Sequence, residues 1–191
     1  MTRKYEFTGE TKTHLDVTLH QIVAVAAFGT VDIGDVGGWI ETEENLSQRG
    51  KARVSDNAQV FDNAWVYGDA RVSGNAQVSG DAKVFDNAWV SGNARVSGDA
   101  QVSGNAWVFG DAWVSGNARV ECSTDIAWFS GVGTENGTLT VCKAKAGLLV
   151  SRGCFSGSLE EFEAAVNNRH GDNDVGNQYN LLIQFIKARF A

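Results

Sequence analysis

The chain has 191 residues, of which 43% are hydrophobic and 20% charged, and its formal net charge is −7. This composition permits one packed domain with short additional segments and excludes global disorder. An acidic surface repels phosphate backbones, so we expect no duplex nucleic acid as a partner. No apolar stretch approaches the roughly 18 residues of a membrane span, and the first residues have no apolar segment. We therefore expect no membrane association and no secretory signal.

Residues 1–39 are predicted to form an N-terminal β cap. Their apolar residues predict strands over Tyr5–Thr8 and Gln21–Phe28, before Gly37 and Gly38 interrupt the pattern. A cap of this kind is needed because the end of a β-solenoid exposes unpaired strand edges, which promote aggregation.

A six-residue unit, A-x-V-[SFY]-[GD]-[ND], follows and repeats twelve times without insertion, from Ala52 to Val120. Alternation places its Ala and Val on one face of a short strand, and its Gly, Asp or Asn tolerates the positive φ of a tight corner. Three such sides make one coil of about 18 residues, so we predict a parallel β-helix of four to five coils over residues 40–126. The chain contains no proline, as expected where every strand N–H must reach the next coil.

The repeat, from Val54–Gln59 to Val114–Arg119, resembles the hexapeptide-repeat family of left-handed parallel β-helix proteins. This resemblance implies a left-handed coil and a homotrimer. Many members of the family are acyl-CoA transferases and some are carbonic anhydrases. The chain ends also resemble phage- and prophage-encoded hexapeptide-repeat proteins, mostly of unassigned function, in residues 4–10, 37–41, 153–157 and 170–173. That likeness implies an origin in a phage or prophage.

Residues 127–191 are predicted to form a C-terminal α/β cap with two helices. Residues 131–137 are glycine-rich and predict a hairpin loop, and Thr138–Lys145 alternates like a strand. Ser158 and Glu161 form a capping box that opens a helix ending near Asn168. We expect its inner face to consist of Leu159, Phe162 and Val166. A second helix over residues 177–190 is predicted to bury Tyr179, Leu182, Phe185 and Ile186.

The three cysteines, Cys122, Cys142 and Cys154, are scattered and form no C-x-x-C pair. Their pattern is typical of a reducing compartment and argues against a disulfide scaffold or a zinc ribbon. We therefore expect a protein of the cytoplasm, in a bacterial host if the phage resemblance holds.

Histidines are too few for the chemistry of the enzymes in the family. The transferases use a histidine as general base, but the repeat contains none, and the three histidines, His14, His20 and His170, lie in two different caps. We therefore expect no metal, no cofactor and no enzymatic activity. Cys154, His170 and Asp172 have the residue types of a nucleophile, base and orienting acid. The alternative is that Cys154 packs beneath a helix and His170 merely ends one.

The 18-residue coil places outward residues in columns, one of which contains Arg53, Arg71, Trp89 and Trp107. Neighbouring coils lie about 5 Å apart, so Arg53 and Arg71 repel one another, and an anion between them would reverse that effect. Arginine for a phosphate and tryptophan for a base is a recurrent pairing, so we predict a ligand-binding site at Arg53, Arg71 and Trp89. The alternative is that the arginines extend into solvent or reach the corner residues Asp56 and Asp69.

Large aromatic residues are concentrated in two places on the outer faces. We predict that they form interfaces with other subunits or with the caps. One group consists of Trp65, Tyr67 and Phe85, and the other of Trp107 and Phe109 beside Trp89. Trp113, on the remaining face, is predicted to lie in an interface as well.

Three functions fit this sequence. The preferred one is a non-enzymatic trimeric binding protein that sequesters a small anionic or nucleotide-type host signalling ligand in inter-subunit clefts, as a counter-defence. The second is a structural scaffold or polymer-forming solenoid. The third is an acyl-CoA transferase whose base comes from a cap.

Overall fold

The computed structural model describes residues 3–191. Residues 1 and 2, at the start of the predicted N-terminal cap, lie outside the described residues. Three antiparallel strands open the fold: β1 (Tyr5–His14), β2 (Val17–Ala24) and β3 (Val36–Ile40). The strands differ in extent from those predicted because the hairpin turns at Leu15 and Asp16, which both have positive φ. A 3₁₀ turn over Glu43–Asn45 follows.

Twelve two-residue strands form the solenoid, and each of the first nine pairs in parallel with the strand 18 residues further along. The valines of the repeat face one another across the coils, as in the pairs Val54–Val72 and Val60–Val78. Every repeat alanine and valine is buried, so the prism is filled by one column of small aliphatic side chains. The strands are β4 (Arg53–Val54), β5 (Gln59–Val60), β6 (Trp65–Val66), β7 (Arg71–Val72), β8 (Gln77–Val78), β9 (Lys83–Val84), β10 (Trp89–Val90), β11 (Arg95–Val96), β12 (Gln101–Val102), β13 (Trp107–Val108), β14 (Trp113–Val114) and β15 (Arg119–Val120).

Strand β3 pairs in parallel with β5, so the solenoid takes in the end of the N-terminal sheet and has about five turns. This confirms the predicted parallel β-helix, whereas its left-handed winding stays a prediction. The predicted corners are also confirmed: φ is positive at every sixth residue from Gly50 to Gly116.

Before the last coil, the N–H groups of the outward strand residue and of the residue after the valine donate to carbonyls of the next coil. The Arg53 N–H, for example, donates to the Ala70 carbonyl at 3.0 Å. The corresponding carbonyls of the first coil have no earlier coil to accept from, and the N-terminal cap and the 3₁₀ turn after it supply donors to several of them. Lys4 Nζ donates to the Ala52 carbonyl at 2.6 Å, and the Asn45 amide donates to the carbonyls of Asp62 and Ala64.

At the other end the same N–H groups of the last coil have no further coil to donate to, and the C-terminal cap and the turn before it supply acceptors for some of them. Thr140 Oγ1 accepts from the Trp113 N–H at 3.0 Å. The Asp125 carboxylate accepts from the N–H groups of Glu121 and Cys122, also at 3.0 Å. Each cap thus carries the polar groups that its own end of the solenoid lacks.

The C-terminal cap is an antiparallel sheet covered by two helices, α1 (Leu159–His170) and α2 (Asp174–Arg189). The predicted hairpin loop lies between the first two strands of the sheet, and α1 has the predicted capping box, with Ser158 Oγ accepting from the Glu161 N–H. Helix α1 ends at His170, two residues beyond the predicted end near Asn168, and Gly171 caps it. The strands of the sheet are β16 (Ile126–Val132), β17 (Gly137–Lys143), β18 (Leu148–Arg152) and β19 (Phe155–Ser158).

Helix α2 corrects two details of the sequence analysis. It begins at Asp174 rather than residue 177, because the Asn173 side chain accepts from the N–H groups of Val175 and Gly176. Its buried residues are Gly176, Tyr179, Ile183 and Ile186, so the predicted burial of Tyr179 and Ile186 is confirmed. Phe185, which was expected to be buried, is 51% exposed, and Leu182 is only half-buried.

Candidate ligand-binding sites

The arginine column, Arg53, Arg71 and Trp89, lies on one face of the solenoid. Arg53 is the register partner of Arg71, and Arg71 is the register partner of Trp89. The 18-residue spacing therefore placed these side chains correctly, and ligand binding there stays a prediction.

The positive charge of the arginine column has no acidic partner in the part of the chain that the structure describes. Arg53 Nη1 donates to the Thr30 hydroxyl of the N-terminal cap. The two corner acids considered as partners are engaged elsewhere: Asp69 pairs with Lys51 at 3.7 Å, and the Asp56 carboxylate accepts from the Gly74 N–H. Partial burial, together with the charge of Arg71, lowers the pKa of Arg53. The positive charges of Arg53 and Arg71 therefore lie side by side without a carboxylate of the described residues to compensate them.

A cavity of about 300 Å³ adjoins Arg53, between the N-terminal cap and the first coil. Its walls are mostly apolar and include Phe28, Val31 and Leu46, whereas Arg53 and Asp35 contribute charged groups. This N-terminal cavity could not be predicted from the repeat, because most of its lining comes from residues of the cap.

Lys4 lies beneath the N-terminal cap and joins it to the first coil. Its ammonium group is 4.7 Å from the centre of the Phe28 ring and donates to the Ala52 carbonyl. Burial lowers the pKa of Lys4 to about 8, although the charge of Asp69 acts in the opposite direction. The first coil is therefore bordered by two cationic residues, Lys4 and Arg53.

Trp89 is half-buried and fixed by its neighbours in the column. Its Nε1 donates to Ser73 Oγ at 3.1 Å, and its ring meets Trp107 edge-on, with 5.0 Å between ring centres. The indole is therefore held in one orientation before any ligand arrives.

The aromatic residues form two separate clusters on the outer surface. In the first, Trp65 stacks on Tyr67 at 4.1 Å, and Tyr67 stacks on Phe85 at 4.9 Å. In the second, Trp107 and Phe109 are 50% and 46% exposed. Trp113, on the remaining face, donates from Nε1 to Ser97 Oγ.

The C-terminal cap covers only the edge of the second cluster. Trp128 of β16 meets Phe109 edge-on at 4.5 Å, and nearby Phe185 of α2 packs on Phe129. Sequence reasoning missed Trp128 because it lies outside the six-residue spacing. Both clusters retain exposed apolar surface of the kind found at protein contacts.

Cys154 and His170 line one pocket in the C-terminal cap, together with Arg152, Arg169 and Tyr179. No hydrogen bond joins Cys154 to His170 in the described structure. Asp172 lies outside the pocket lining, and its backbone carbonyl accepts from the Asn177 side chain. The structure thus brings two of the three residues of the alternative site to one pocket, and it adds two arginines that sequence reasoning did not connect with them.

Within residues 3–191, no group of three His, Cys, Asp or Glu side chains is arranged to hold a metal ion. Burial raises the pKa of the Cys142 thiol to about 12, so this cysteine is a core residue rather than a nucleophile. Over the same residues, no helix combines the length and apolar character that crossing a membrane requires.

Comparison with known proteins identifies the repeat and nothing beyond it. Six overlapping segments match a family model described as the YdcK beta solenoid repeat. They lie within residues 52–116 and include neither cap. No curated protein matches the chain significantly. The similarity agrees with the β-solenoid, whereas the hexapeptide-repeat resemblance and the phage origin stay predictions. The matched segments are 52–68, 58–74, 64–80, 76–92, 88–101 and 100–116.

Proposed function

We propose that this protein is a non-enzymatic binding protein that holds a small anionic ligand on the arginine column. The observation that carries the proposal is the register pairing of Arg53 with Arg71, with no carboxylate against either guanidinium among residues 3–191. An anion between the two groups converts a repulsion into two charge-assisted hydrogen-bonding contacts. The coils fix the spacing of the two backbones and Thr30 holds the Arg53 side chain, whereas the exposed Arg71 side chain is ordered on binding.

A nucleotide-type ligand matches the other features of this surface. Phosphate oxygens suit the two guanidinium groups, and a base suits the indole of Trp89, which Ser73 and Trp107 already orient. Arg53 also lines the N-terminal cavity, so the column continues into a concave site. The phage resemblance of the chain ends leads us to the finer proposal that the ligand is a host signalling nucleotide, sequestered as a counter-defence.

Self-association completes the proposed site. The two aromatic clusters offer lateral contact surfaces, and the resemblance to hexapeptide-repeat proteins implies a homotrimer. In such an assembly the arginine column would border a cleft between subunits, where a ligand is better shielded from water than on a flat face.

The first experiment is native mass spectrometry of the protein purified from its natural host, followed by denaturation and analysis of the released small molecules. We expect a multiple of 20.5 kDa carrying an added anionic mass. A clean multiple without added mass, together with end-to-end filaments in micrographs, would favour the scaffold function instead.

The matching variant is Arg53→Ala combined with Arg71→Ala. We expect it to lose the bound mass, and its binding of added ATP by calorimetry to weaken at least about tenfold, with no change in oligomer size. The control is Lys83→Ala combined with Arg95→Ala, which removes the same charge from the other two faces. If both double variants bind ATP equally, general charge rather than the column explains the binding, and the proposed site is wrong.

A further inference from the structure

A second pocket, of about 170 Å³, lies in the C-terminal cap and shares no lining residue with the N-terminal cavity. It forms where strand β18 and the two helices meet. Strand β18 contributes Arg152, helix α1 contributes Phe162, Arg169 and His170, and helix α2 contributes Tyr179. We call it the C-terminal pocket.

Arg152 is the fixed centre of this pocket. Only 11% of its side chain is exposed. Its Nε donates to the Tyr179 hydroxyl at 3.0 Å, and its Nη2 donates to the Val132 carbonyl at 2.7 Å. A Cβ atom at Gly137 would lie 2.5 Å from Nη1, so the hairpin packs directly on the guanidinium group. The cation is therefore held in one position.

The charge of Arg152 is poorly compensated. Among residues 3–191, the one carboxylate within 4.0 Å of its guanidinium group is that of Glu135, which is 3.9 Å from Nη1 and belongs to a side chain that is 75% exposed. That separation is too long for a hydrogen bond, and an exposed carboxylate contributes little. Arg169 adds a second positive charge to the same lining, although the whole chain has a net charge of −7. A buried cation in this state favours an additional anion.

The walls of the pocket indicate the chemistry of the rest of the ligand, beyond its anionic group. The Phe162 ring meets Phe155 at 5.2 Å and Tyr179 at 5.5 Å, so three packed aromatic rings form part of the lining. A cavity of about 150 Å³ with apolar walls holds one benzene molecule. The C-terminal pocket is only slightly larger, so it has room for one ring and one charged group.

We propose that the C-terminal pocket binds a small monocarboxylate with a ring-sized apolar body, its carboxylate on Arg152 and its ring against Phe155 and Phe162. This site is independent of the arginine column, so the failure of either proposal leaves the other standing.

Titration of the ¹⁵N-labelled full chain with benzoate tests the proposal. We expect saturable shifts of the amide resonances around Arg152, Cys154 and His170. Benzyl alcohol has the same ring without the charge, and we expect its affinity to be at least about tenfold lower. Equal affinities for the two probes, or no saturable shift with benzoate, would overturn the proposal. This comparison uses the unchanged protein, so it decides the question whether or not a variant folds.

Two variants on helix α1 test whether benzoate binds in the C-terminal pocket. Ala165 lines the pocket and Ala164 does not, although both are exposed positions of the same helix. Ala165→Phe fills the pocket and is expected to abolish the benzoate shifts, whereas Ala164→Phe is expected to retain them. Benzoate binding that is unchanged in a folded Ala165→Phe variant would show that the probe binds elsewhere and would rule out this pocket.

Discussion

The corner residues of the solenoid show how one position can accept two different side chains. The backbone at each corner has positive φ, which favours glycine, yet Asp56, Asp62 and Asp86 occupy three of the corners. A Cβ atom at Gly98 would lie 3.0 Å from the amide nitrogen of Gly116 in the next coil. Asp86 has the same backbone conformation, but its carboxylate accepts from the Gly104 N–H at 3.2 Å. The hydrogen bond offsets the strain.

Two substitutions at Gly98 separate these effects. Gly98→Ala adds the close Cβ contact without a hydrogen bond, and we expect it to lower the free energy of unfolding by about 1–2 kcal/mol. Gly98→Asp adds the same contact and an acceptor for the Gly116 N–H, so we expect a smaller loss. Urea denaturation followed by circular dichroism measures both. An aspartate variant that is no more stable than the alanine variant would contradict the offset.

Among the structural elements, the caps depend on side chains of opposite polarity at the two ends of the solenoid. Asp125 carries much of the C-terminal junction: it accepts from two backbone N–H groups and pairs with Lys143 at 2.7 Å. Burial by itself would raise the pKa of Asp125, but the hydrogen bonds from Lys143, from the Cys122 thiol and from the two N–H groups outweigh it and lower the pKa. The folded chain therefore favours the ionised carboxylate.

The lowered pKa of Asp125 predicts a loss of stability in acid. Because the folded pKa lies below that of the unfolded chain, the stabilisation is complete above the unfolded value and is lost as pH falls through the folded value. At pH 7 we expect Asp125→Asn to lower the free energy of unfolding by about 1–3 kcal/mol. The difference from the wild type should shrink below about pH 4. Urea denaturation across this pH range measures it.

The control for Asp125 is Asp99→Asn, which changes an exposed corner carboxylate. We expect it to leave the unfolding free energy nearly unchanged at every pH. If the two asparagine variants lose the same stability, the effect comes from net charge and not from the junction.

Features set by the regular spacing of the repeat could be predicted from the sequence, whereas features set by individual side chains or by packing between distant residues could not. The repeat was predictable because a fixed spacing determines each outward residue of the solenoid, so Arg53, Arg71 and Trp89 fell into one column. The start of α2 depended on the Asn173 side chain, which competes locally with the expected boundary. The C-terminal pocket was unpredictable because Arg152 reaches it from a strand, through packing of residues distant in sequence.

On the scale of the whole molecule, the caps leave the sides of the solenoid as the surfaces for association. Polar groups from each cap occupy the end of the solenoid next to it, which disfavours growth by end-to-end pairing. The aromatic clusters, in contrast, are lateral and partly exposed. The first lies on coils at the N-terminal side, and the second lies about two coils further along, beside the C-terminal cap. Lateral assembly into a homotrimer is therefore our expectation.

Paired substitutions in each cluster test this assembly. If the protein is the expected trimer, Trp65→Gln with Tyr67→Gln, or Trp107→Gln with Phe109→Gln, should convert it to monomers, because each pair removes apolar contact area without emptying the core. Light scattering coupled to size-exclusion chromatography gives the mass. The control is Leu181→Gln, an exposed apolar position of α2 outside both clusters. If only one pair dissociates the protein, that cluster is the interface, whereas wild-type protein that runs as a monomer or grows into filaments would refute the trimer.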